Sequence, residues 1–152
     1  MKKIILYSLL LGAALLLPVQ GVDVGKLLPV ELISFSREED ALTITTDVGA
    51  AGTGATIKEA VADMKATASG IVFLDTADYL LIKDLTDEEV ETLKDHLKPS
   101  IRICSTSGEI DLPKACEYLR VHKPQQRLKD WEEEKGEEVL VAESGKMILK
   151  EK

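Results

Sequence analysis

Three groups of residues in this sequence have types and spacings that could do chemistry. Gly49, Gly52 and Gly54 stand just before a helix start at Thr56. A loop of small residues in front of a helix can cradle an anion, because the orphan N–H groups and the dipole there favour negative charge. The stretch lacks the lysine of G-x-x-x-x-G-K-[ST] and does not fit the spacing of G-x-G-x-x-G, and Asp47 and Glu59 would oppose a phosphate. A plain connection or a partner-contact loop is therefore favoured over a ligand loop. Asp75 and Asp78 form the second group, in a break between two apolar runs. Two carboxylates so spaced could be an acid/base pair or a cation site, but an Asx turn that bends the chain is the commoner use. The third group is Cys104 and Cys116. In an oxidising setting an even pair suggests a disulfide, adding roughly 3 kcal/mol at most. Against it, Cys104 alternates with Ile103 toward the other face of its strand, and Cys116 lies on a buried helical stripe. Both states stay open.

The rest offers no reaction. His96 and His122 have no His or Cys at metal-ligand spacing, and no G-x-S-x-G or similar nucleophile motif is present. No catalytic residue, metal or cofactor is expected, and an unrecognised hydrolase is the least supported class. Glu132-Glu133-Glu134 and Glu137-Glu138 read as a solvated face.

The elements that must position these residues are legible. Leu42, Ile44 and Thr46 alternate with polar residues as in a strand with one buried face. Residues 28–35 read as a preceding strand, forming an antiparallel hairpin across the charged turn 37–40. Thr56 and Glu59 make a capping box for a helix whose stripe is Ile57, Ala60, Val61, Met64 and Ala68. Residues 71–74 and 79–82 are apolar without alternation, which predicts strands covered on both faces. A second capping box, Thr86 and Glu89, opens a helix over 87–98 closed by Pro99. A strand at 101–105 and a helix over 112–122, capped by Asp111, follow. Gln125–Glu138 reads as a charged linker or exposed helix docked by Trp131, and 139–152 as a hairpin. The order predicts an α/β (α+β) domain over 22–124, with helices packed on a mixed β-sheet, plus a C-terminal β-hairpin. Three helical stripes can be buried by one sheet face. The second face is then expected to be covered in part by 125–152, its remainder forming a contact surface.

With 152 residues and 45% apolar content, the chain can build one real core. A net charge of −8 argues against nucleic acid and against charge-driven adsorption to an anionic membrane. Lys2 and Lys3, the apolar run Ile4–Leu17, and small residues at Val19 and Gly21 make residues 1–21 a signal peptide with Val22 as the mature start. The apolar run is short for a membrane span, so membrane contact would come only through an uncleaved leader. The expected address is extracytoplasmic.

The strand pair LLPVELISFSREEDALTITTD, the helix lead GTGATIKEAVADM and the strand-turn-strand VFLDTADYLLIKD have a matching order elsewhere. Residues 23–123 resemble the N-terminal domain of the C-subunit lipoproteins of spore-germination nutrient receptors, although no lipobox cysteine is present. The resemblance implies an endospore-forming source and a non-enzymatic role at a membrane's outer face; it carries over no site residues. The functional expectation is an exported binding or structural protein, a stand-alone relative of that subunit, whose partner is another protein at the membrane outer face or spore envelope. The alternative is a small extracytoplasmic ligand-binding protein using the Gly49–Gly54 loop.

Overall fold

The first apolar run, expected as one strand, breaks at Val30 and Glu31 into β1 (Leu27–Pro29) and β2 (Leu32–Glu38). The break has a local cause. The Asp47 carboxylate accepts from the backbone N–H groups of Glu31 and Leu32, each at 3.2 Å, so a side chain satisfies donors that a continuous ladder would use. The computed structural model describes residues 24–131, 138–143 and 145–151. The leader expected over 1–21 and most of the acidic run, Glu132–Glu134 and Glu137, lie outside them.

The elements after the break are β3 (Ala41–Thr46), β4 (Ala51–Gly54), α1 (Ile57–Thr67), β5 (Ile71–Phe73), β6 (Tyr79–Lys83) and α2 (Asp87–Leu93). They are followed by β7 (Arg102–Thr106), α3 (Leu112–Val121), β8 (Glu138–Glu143) and β9 (Lys146–Glu151). The fold is α+β. Seven strands form one mixed sheet in the order β4-β3-β2-β6-β7-β8-β9, in which β2, β6, β7 and β8 run parallel and each end is closed by antiparallel pairing. The predicted C-terminal hairpin is β8–β9. Strands β1 and β5 pair parallel in a separate two-stranded sheet.

Helix starts follow the caps. Thr56 accepts from the Glu59 N–H at 3.3 Å, and Thr86 and Glu89 cap each other reciprocally. Helix α2 is shorter than expected. After Leu93 the backbone tightens into i→i+3 bonds at Lys94, Asp95 and His96, while Leu97 still reaches the core.

The distribution of helices differs from the expectation. Helices α1 and α2 cover the first sheet face, where Ala60, Met64, Val90 and Leu93 meet Ile33, Phe35, Ile44, Leu80 and Ile103. Helix α3 covers the second face, where Ala115, Cys116 and Leu119 meet Leu32, Tyr79, Leu81, Cys104 and Leu140. The run 79–82 does need cover on both sides, and α3 supplies the second. Gln125–Trp131 is accordingly not a linker. The backbone of Gln126 and Leu128 bonds to Ile103 and Ile101, Leu128 is fully buried, and Trp131 packs beside it on the first core. The hairpin β8–β9 widens the sheet, with Met147 and Leu149 leaning on the second core. Residues 71–74 also depart from the expectation: Val72 and Leu74 are buried, but Ile71 and Phe73 face out, because β5 lies outside the main sheet.

Candidate functional site

The glycine stretch is a turn followed by a strand. The Thr46 N–H bonds the Ala50 carbonyl at 2.9 Å across a turn in which Gly49 has φ +80°, and Ala51–Gly54 is the edge strand β4. A Cβ on Gly52 would lie 2.3 Å from Met64 N and 2.4 Å from Ala60 O; one on Gly54 would lie 2.6 Å from Ala60 N. These two glycines exist so that β4 can lie directly on the backbone of α1. The space an anion would need is filled by the helix, which corrects the ligand-loop alternative for Gly52 and Gly54. Gly49 stands in the open.

Asp75 sits in a 3-10 turn (Leu74–Thr76), and Asp78 accepts from Lys98 Nζ at 2.7 Å. They bend the chain between β5 and β6. Cys104 and Cys116 are free thiols; Cys104 does point away from Ile103 to the second sheet face, and α3 brings Cys116 to that same face. Burial pushes their pKa values up to about 12 and about 11, which keeps both protonated and poorly nucleophilic at neutral pH.

Cys116, Glu31 and Asp47 bring their ligand atoms within 4.8 Å of one another, the one such group among the described residues. The arrangement is a structural knot. Asp47 is committed to backbone amides, and Glu31 receives Arg120, with Nε at 2.7 Å. That hydrogen bond holds the Glu31 carboxyl below its usual range against the opposing effect of burial. In this arrangement both carboxylates are engaged by protein donors.

Two surfaces stand out among the described residues. On the small sheet, Leu28 and Val72 face the first core, so their neighbours Leu27, Pro29, Ile71 and Phe73 share the outer face through the register Leu27↔Ile71 and Pro29↔Phe73. Ile71 is 47% exposed and Phe73 45%. A ribbon of this size cannot bury its own outer side, and β1 begins a few residues after the leader's predicted end.

The second surface is a crevice of about 390 Å3 at the carboxyl ends of β6 and β7. Ile82, Ser105 and Val139 form its floor, Trp131 and Leu85 its walls, and Asp84 and Asp87 stand on the exposed rim. No family model matches the chain, and no curated protein or solved structure matches it either. Neither the crevice nor the strip was singled out from sequence. The crevice depends on which face each helix takes, and the strip on a strand leaving the main sheet. Only the alternation exposed at Ile71 and Phe73 could have hinted at the second.

Proposed function

We propose that the protein is an exported, non-enzymatic binding protein that contacts another protein at the outer face of a membrane or in a spore envelope. The observation that carries this reading is the outward apolar strip of Leu27, Pro29, Ile71 and Phe73. Contiguous exposed apolar surface of this kind is unfavourable in water unless a partner covers it. Its place beside the expected start of the mature chain supports a contact near the membrane, and the resemblance in element order to the germination-receptor subunit domain supports a protein as the partner. No helix among the described residues is long and apolar enough to cross a membrane.

The double variant Ile71→Ser/Phe73→Ser tests this. Both side chains are about half exposed, so the unfolding free energy from denaturant titration should change by only about 0.5 kcal/mol per site or less. Cross-linking on membranes of the source cells should yield a defined adduct with the natural protein and lose it with the variant. An adduct of equal yield from both proteins would move the contact elsewhere.

A further inference from the structure

The crevice at the carboxyl ends of β6 and β7 lies at a change of direction in the fold. These strands are adjacent and parallel. The chain leaves β6 for α2 on the first face, and leaves β7 for α3 on the second. Loops that part in this way leave a gap between them at the carboxyl ends of the strands, the end of a parallel sheet at which ligands bind, although the order β2-β6-β7-β8 runs on here without reversing. The volume of about 390 Å3 falls in the range of small-molecule sites.

The lining sets the chemistry. Ile82, Val139 and Leu85 offer an apolar bed, and Trp131 adds an aromatic wall. Asp84 and Asp87 supply two negative charges, and no described cationic side chain lines the crevice. Lys83, the nearest in sequence, lies on the opposite sheet face, where it pairs with Glu38 at 3.9 Å. Arg37 is held by Glu89. Among the described residues the charged groups at the crevice are both negative, so an ammonium group gains from the indole and the carboxylates while an anion is opposed by the carboxylates.

We propose that this crevice binds a small organic cation, an amine or quaternary ammonium compound with a short apolar body. The body rests on Ile82 and Val139, and the charge lies toward Trp131 and the acidic rim. This site is independent of the apolar strip on the small sheet, and either could fail without the other.

The chain's single tryptophan is Trp131, so its fluorescence reports occupancy directly. Titration of the mature protein with choline and with butylamine should give a saturable change in the roughly millimolar range or tighter. The neutral carbon isostere of choline should give none. Asp84→Asn/Asp87→Asn should weaken amine binding about tenfold or more; Asn suits position 84, where φ is +55°. No saturable response to either amine, an equal response to the isostere, or unchanged affinity in the double variant would each overturn the proposal.

Discussion

Gly52→Ala should cost about 3 kcal/mol or more, the upper end of what overpacking does. The added Cβ would sit 2.3 Å from Met64 N and 2.4 Å from Ala60 O. Both are helix backbone, which cannot rotate aside as a side chain can. Helix α1 would have to retreat from β4, loosening Ile57, Ala60, Val61 and Met64, all buried against the sheet. In a domain of this size that is a large part of a total stability of about 5–15 kcal/mol. Gly49→Ala separates the causes. It meets nothing within 4 Å and bears only the left-handed backbone, about 1–2 kcal/mol. Urea midpoints for the two variants check this. Equal small losses at both positions would mean that β4 and α1 are not in backbone contact.

Phe35→Ala should cost about 3–5 kcal/mol, the usual range for emptying an aromatic site in a core. Phe35 is fully buried on β2 at the middle of the sheet, where rigid strand and helix backbone limit collapse into the cavity. Phe73→Ala, the same chemical change on the small sheet, should cost far less, because that ring is already 45% exposed. The contrast is read from thermal or denaturant midpoints. A comparable loss at both would mean that Phe73 is packed and that the outward strip is not free.

Much of the fold was legible because it is written in local chemistry. Thr56 and Thr86 start helices by capping their own backbones, and the alternation at Leu42, Ile44 and Thr46 commits one face of β3. The hairpin β8–β9 turns at Gly145, whose φ is +78°. What escaped depends on partners distant in sequence. The stripe of α3 says that it buries one side but not which sheet face receives it. Gly52 and Gly54 look like a flexible loop until α1 lies across them. Leu128 sits among charges, and only its bonds to the start of β7 draw it into the core. The site fared worse than the fold for the same reason. Asp84 and Asp87 are far along the chain from Ser105 and from Trp131 and form no motif with them, and only the opposite departures of α2 and α3 bring these residues around one opening.

A photoreactive residue placed at position 73 tests the contact surface most directly, with one at position 143, on the exposed end of β8, as its control. On membranes of the source cells, the probe at 73 should form a single protein adduct that the probe at 143 does not. Adducts at both positions, or at 143 alone, would contradict a contact through the strip of Leu27, Pro29, Ile71 and Phe73.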